Sequence, residues 1–258
     1  MLHVESSNGI ARLTLARPEV GNALNDEVAE RVISALAECR RDGDLRAVVL
    51  AAEGKVFSAG ADLNWMRRMK GASFDDNVRD ATRTAELFAA LYEFPRPVIA
   101  RVNGPARGGG VGLIAACDFA IGATAASFAF TEVRLGVVPA VISPYCIKKL
   151  GEARCRRLFL TGEVFSAQQA QAWGLLDDVC PSMEDVDSAI AQLLATLNQC
   201  APEALGVAKA LLRGVADRSL ADAKPFTADI IARIRTGAEA QEGMAAFLEK
   251  RKPAWVKR

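Results

Sequence analysis

The sequence contains a single histidine, His3, among 258 residues. A Ser-His-Asp or Cys-His triad needs an imidazole held in an ordered site, and a residue this near a chain end is expected to fray. The same scarcity removes the commonest ligand of a catalytic metal. Six cysteines (Cys39, Cys117, Cys146, Cys155, Cys180 and Cys200) are scattered with no C-x-x-C pair. They read as reduced, mostly buried thiols of a cytoplasmic protein, because a chain of this length needs no disulfides to stabilise a core. Charge of one sign is lacking too: 32 Lys and Arg against 31 Asp and Glu leave a net +1. That removes the global electrostatic case for nucleic acid or a membrane surface, and the basic tail KRKPAWVKR reads as a solvated terminus. No apolar run is long enough to span a bilayer, and the opening MLHVESSNGIARL lacks the charged-then-apolar pattern of a signal peptide. Acid–base chemistry in such a chain must rest on carboxylates, Lys, Tyr or bound water.

What is present is ample apolar material, 51% of residues, arranged in two styles. LHVES and IARLTLA flank Ser7-Asn8-Gly9, the pattern of a hairpin. Asn25 or Asp26 can cap a helix whose apolar positions Val28, Val32, Leu36 and Cys39 recur every three or four residues. RAVVLAA and PRPVIARVNG suit buried strands. Helical patterning runs through Asn64–Met69 and Phe74–Phe94, with a break at Lys70-Gly71, and DFAIGATAASFAF reads as strand, turn, strand. Beyond Glu132 strand signals thin out and helices dominate. The order predicts an α/β core over residues 1–199 and an α-helical part over 200–258.

The segment ARGGGVGLIAACD raises the question of function, because it holds Gly108, Gly109, Gly110 and Gly112. From Gly110 it reads G-x-G-x-x-A, with Glu132 about 20 residues after Gly112, as a dinucleotide site would place its ribose-binding acid. Against this, NGPAR separates the strand from the glycines, and two strands precede this one. Close helix–strand packing accounts for one or two of the glycines. Three in a row at a helix start cost roughly 1 kcal/mol each relative to alanine, so a backbone function is favoured. A second segment of small residues, FSAGADLN, also follows a buried strand and leads into a helix. Two such segments can aim two N–H groups at one carbonyl oxygen, an oxyanion hole that needs no side chain. Asp62 and Asn64 can cap the helix that follows.

FSAGADL, RVNGPARGGGVGL, CDFAIG, FTEVRLGVVPA and EGMAAFLEKRKP occur in the order seen in the enoyl-CoA hydratase/isomerase (crotonase) family, which the chain resembles end to end. The resemblance implies an α/β fold, the crotonase (ClpP-like) spiral of ββα units, with a C-terminal helical region used in trimerisation and often a hexamer of two trimers. It implies an oxyanion hole of the Ala61 and Gly109 backbone N–H groups. CoA is expected to run past Asn22, Ala23 and Leu24 and the loop carrying Ala59, Asp62 and Leu63. Phe247 and Lys250 are expected at its adenine or phosphates, in the same or a neighbouring subunit. No metal and no redox cofactor is implied; coenzyme A is part of the substrate.

Well-known hydratases of the family bracket a water between two glutamates. Here the second is Glu132, and the first is replaced by Gly112. Three activities follow: hydration with Glu132 alone, double-bond isomerisation by one carboxylate shuttling a proton, or acyl-CoA binding without chemistry. SAGADLNWMRRM and VVPAVISPY resemble bacterial 3-methylglutaconyl-CoA hydratases of leucine breakdown and isohexenylglutaconyl-CoA hydratases. The expectation is therefore a hydratase of 3-branched enoyl-CoA. Arg107 is a candidate cation for a second substrate carboxylate, with Arg67, Arg68 and Lys148 as others. The missing side chain at Gly112 is expected to leave room for a branch or an extra water.

Overall fold

The computed structural model describes residues 1–256, so the last two residues of the basic tail fall outside it. The predicted hairpin forms as β1 (Leu2–Ser7) and β2 (Ile10–Leu15), antiparallel, with Asn8 and Gly9 at φ 51° and 75°. Two positive φ values in succession match the twist of the strands they join, which is why Asn-Gly sits there. His3 is not frayed: it pairs with Thr14, and its Nδ1 lies 3.0 Å from Glu53 Oε1.

The hairpin is one edge of a six-stranded sheet ordered β1-β2-β3-β4-β6-β9. After the hairpin all neighbours are parallel: β3 (Ala47–Ala52), β4 (Val98–Val102), β6 (Phe119–Ala123) and β9 (Asp178–Cys180). All six residues of β3 are buried, as expected of a parallel strand covered on both faces. Helix α1 (Asp26–Cys39) is capped by Asn25, whose side chain accepts from Val28 N–H, and buries Val28, Val32, Leu36 and Cys39 as the spacing predicts. Helices α2 (Leu63–Met69) and α3 (Phe74–Tyr92) cross the top of the site, tied by Trp65 Nε1 donating to Asp80 Oδ1.

A second sheet joins the strand after the turn of DFAIGATAASFAF to two strands that the sequence pattern does not show. It joins β5 (Ala106–Arg107), β7 (Ser127–Ala129) and β8 (Phe165–Ser166) in the order β5-β7-β8. Strands of two or three residues are too short to show a period of two, so neighbouring chain rather than local pattern defines them. β9 was missed for the same reason. Helix α4 (Gly109–Ala116) follows β5 directly, and α5 (Ser143–Leu150), α6 (Glu152–Thr161), α7 (Ala167–Ala172) and α8 (Met183–Leu197) complete the first part. The chain ends in α9 (Pro202–Val215), α10 (Leu220–Thr236) and α11 (Ala238–Leu248). All six cysteines are free, and all but Cys200 are buried. Among the described residues no helix is long and apolar enough to cross a membrane.

Candidate active site

The small-residue loop and the glycine run lie side by side. Ser58 bridges to Ala106, and Arg107 N–H donates to Ser58 O at 2.9 Å. The loop alternates like a strand: Ser58, Gly60 and Asp62 are buried, while Ala59, Ala61 and Leu63 face outward. Leu24 sets this alternation, donating to Gly60 O at 2.7 Å and accepting from Asp62 N–H at 2.8 Å. Ala61, between them, turns its own N–H away from Leu24 and into the open. Gly109 is the first residue of α4, where the geometry of a helix leaves N–H groups without an intrahelical acceptor. Neither the Ala61 N–H nor the Gly109 N–H has a hydrogen-bond partner among the described residues. Both belong to accessible residues, whereas Gly108 and Gly110 are buried.

The three consecutive glycines therefore answer to three different neighbours. Gly110 packs on Ser58, whose O would lie 2.7 Å from an added Cβ. Gly108 has φ +45°, and an added Cβ would lie 2.8 Å from Glu132 Oε1. Of the three, Gly109 is the accessible one.

Glu132 reaches Gly108 by strand pairing. Ala106 pairs with Phe128 and Arg107 with Ala129 in the β5–β7 ladder, and Gly108 N–H donates to Ala129 O at 3.0 Å. Three residues later a 3-10 turn, Glu132–Leu135, lays the carboxylate over the start of α4. Oε2 is buried without a hydrogen-bond partner among the described residues. Burial pushes the Glu132 carboxyl above its usual value, opposed in part by a hydrogen bond from its own backbone N–H. A buried carboxylate beside two free N–H groups can carry a proton to and from a thioester whose oxygen those N–H groups hold.

The other expected contacts are placed by the fold. Arg107 is held in place, its guanidinium donating to Ala106 O, Ser127 O and Ser127 Oγ, with no carboxylate paired to it among the described residues. Arg68 is paired with Asp26, and Arg67 donates to Asn64, while Lys148 is exposed without a partner among the described residues. Gly112 is not an open position. A Cβ there would lie 2.8 Å from Ile142 Cβ and 3.0 Å from Phe88 Cε1, with Ile142 Cγ2 closer still.

Asn22 and Asp62 brace the loop from within. Asn22, buried at φ 52°, donates to Glu53 O and Val56 O and accepts from Arg17 N–H. Asp62 accepts from Asn64 and Trp65 N–H, capping α2, and from Arg17 at 2.7 Å; its charged form is favoured by these donors against the cost of burial. Arg17 was not singled out in the sequence, because its ligands (Ala23 O, Asn22 and Asp62) come together only in the fold. Ala23 and Leu24 are buried, and Leu24 Cδ1 would lie 3.0 Å from a Cβ on Gly109. Phe247 and Lys250 are not brought to this assembly within one chain. Phe247 is 83% exposed and lines a cleft made wholly of residues between 201 and 255. Among the described residues no His, Cys, Asp and Glu side chains group as a metal site would require.

Two free N–H groups from a small-residue loop and a helix start, with one carboxylate above them, suit acyl-CoA chemistry, and the comparisons agree. The family model described as enoyl-CoA hydratase/isomerase matches residues 5–258. The chain belongs to the enoyl-CoA hydratase/isomerase family. It is 32% identical to the 2,3-dehydroadipyl-CoA hydratase of Escherichia coli over 98% of this chain and 97% of that protein. The crystal structure of an enoyl-CoA hydratase from Shewanella pealeana superposes with a TM-score of 0.95 at 38% identity, covering 98% of this chain and 95% of that one. Pseudomonas aeruginosa AtuE superposes equally well, TM-score 0.95 at 32% identity, over 99% of both chains. The fold is thus the crotonase fold and the family is one of enzymes.

Proposed function

We propose that this chain hydrates the C2–C3 double bond of an enoyl-CoA thioester, with Glu132 as the sole side chain that moves a proton. The observation that carries the reading is the burial of the Glu132 carboxylate against Gly108, beside the free Ala61 and Gly109 N–H groups. Glu132 takes a proton from water as the water oxygen bonds to C3. The π electrons shift toward the thioester, and the enolate oxygen is held by Ala61 and Gly109. The same carboxyl then returns its proton to C2, so one water is added and the enzyme is restored. Backbone donors aimed at a developing oxyanion contribute about 3–4 kcal/mol each where one has been removed. The acyl chain we propose, on the motif resemblance, is a 3-branched one of the 3-methylglutaconyl type. Its branch has to be seated other than above Gly112, which Ile142 covers. We further propose a homotrimer or hexamer, in which Phe247 and Lys250 of a neighbouring copy meet the CoA nucleotide.

The test incubates 3-methylglutaconyl-CoA, crotonyl-CoA and a 3-enoyl-CoA separately with the protein. Water addition is expected; migration of the double bond makes the enzyme an isomerase, and silence with retained acyl-CoA binding makes it a binder. Glu132→Gln is expected to lower kcat by roughly 10²–10⁴-fold with acyl-CoA affinity kept. The pH profile carries a sign. The base must be ionised, and burial raises its pKa, so kcat/KM of the wild type falls as pH drops through a value above the ordinary 4.5. Stability runs the other way: a carboxyl whose folded-state pKa is raised costs stability once pH rises through that pKa. Glu132→Gln is therefore expected to melt above the wild type at pH 7, with the gain vanishing at pH 4.

A further inference from the structure

We infer that Ile142 determines acyl selectivity by plugging the notch that Gly112 leaves in α4. This inference rests on the hydratase reading for its kinetic consequence, and on packing alone for its binding consequence.

The packing on α4 places Ile142 on the flank of the site that carries Glu132. Along α4, Gly108 lies under the Glu132 carboxylate and Gly112 lies under Ile142, four residues apart and so about one helical turn. Gly112 N–H donates to Gly108 O at 3.2 Å, which fixes that turn. Along α5, Ile142 precedes the first turn and accepts from Cys146 N–H at 3.1 Å. Ile142 and Glu132 thus flank the same stretch of α4.

The wall beyond the Gly109 N–H is continuous. Leu24 Cδ1 and Phe88 Cζ would meet a Cβ on Gly109 at 3.0 and 3.9 Å, and Phe88 Cε1 and Ile142 would meet one on Gly112. Leu24, Phe88 and Ile142 are 8%, 0% and 2% exposed, so this wall is closed to solvent. A thioester with its oxygen at Gly109 and its C2 and C3 within reach of Glu132 must run its acyl carbons along this wall. Carbons that branch toward α4 find the notch above Gly112 already filled by Ile142 Cγ2. Gly112 and Ile142 form one packing unit, in which a side chain on one residue excludes a side chain on the other. A pocket that differs by a methyl or methylene typically discriminates by 10–200-fold.

The test compares wild type, Ile142→Val and Ile142→Ala with crotonyl-CoA and 3-methylcrotonyl-CoA as substrates. Butanoyl-CoA and 3-methylbutanoyl-CoA, which cannot be hydrated, serve as calorimetric ligands. Ile142→Ala is expected to raise the branched-to-straight ratio of kcat/KM at least about tenfold, and to raise the same ratio of affinities for the saturated pair. Ile142→Val keeps Cγ2 and is expected to leave both ratios near the wild-type values, which also controls for loss of fold. Unchanged affinity ratios in Ile142→Ala overturn the inference. Shifted affinity ratios in a protein that hydrates neither enoyl-CoA sustain it and overturn the hydratase reading instead. Thermal melts give a third readout: Gly112→Ala is expected to melt below wild type and Gly112→Ala/Ile142→Ala to recover part of the loss. Strict additivity of the two substitutions would overturn the packing unit.

Discussion

In β3 every one of six residues is buried, whereas α9, where eight of fourteen residues are Ala, Leu or Val, buries none. The contrast extends over the two parts of the chain. Residues up to Leu197 supply two core clusters, while among residues 201–256 only Ala246 is a buried hydrophobic residue. The two parts are similar in composition but differ in what their apolar faces meet. In the first part every helix but α2 buries side chains in the core. In the last part, Leu212, Leu220, Ile231, Met244, Phe247 and Leu248 are exposed. Two apolar clefts of about 450 and 440 Å³ lie among α9, α10 and α11.

What ties the last helices to the rest is polar. Arg46 donates to Cys200 O at 2.6 Å, and Arg96 donates to both Leu45 O and Pro202 O. Lys209 reaches from α9 to Arg96 O at 3.0 Å and to Asp118 Oδ2 at 2.5 Å. Burial pushes Asp118 up and Lys209 down, and each opposes the shift of the other. Glu239 on α11 accepts from the N–H groups of Glu203 and Ala204, completing the start of α9. Directional bonds hold the helices in place without covering their apolar faces, which is the condition expected of a surface that a second copy covers.

The contrast can be broken at three points of decreasing effect. Phe130 is 0% exposed and packs edge-on to Phe159 at 4.7 Å, so Phe130→Ala should cost roughly 3–5 kcal/mol in urea unfolding. Lys209→Met leaves Asp118 mostly buried without its cation and should cost roughly 3 kcal/mol. Asp118→Asn added to it should return part of that loss, since the unpaired charge is then gone. Ile231→Asp, at a half-exposed position in the α9–α10 cleft, should change the intrinsic stability of the chain by no more than about 0.5 kcal/mol. Sedimentation equilibrium should nonetheless show a smaller particle than the wild type. An unchanged mass would mean that this cleft faces solvent in the assembled protein.

The residues legible in advance were those whose function lies in the backbone or in a motif. The runs of small residues before two helices mark where bare backbone is needed, and the family resemblance singles out Ala61 and Gly109 within them. Glu132 was singled out by its place in the FTEVRLG motif, and its carboxylate lies against Gly108. For Arg107 the fold adds what the sequence does not show, acceptors on Ser127 and Ala106 that hold its guanidinium. Asn22 and Asp62 were read as ligand contacts, yet their polar atoms are used inside the protein to hold the loop.

The sequence by itself determined the hairpin, the buried strands β3 and β4, the caps and the places where backbone must be bare. Each rests on chemistry among residues close in the chain: alternation, helical spacing, a capping side chain, glycine where Cβ cannot be. Tertiary structure alone decided the small second sheet, which is defined by partners distant in sequence. It also decided what happens at Gly112. A missing side chain records only that something must approach closely, and in sequence that neighbour is unnamed. In the fold it is Ile142, thirty residues on, whose methyl fills the notch because close packing leaves no space of that size empty.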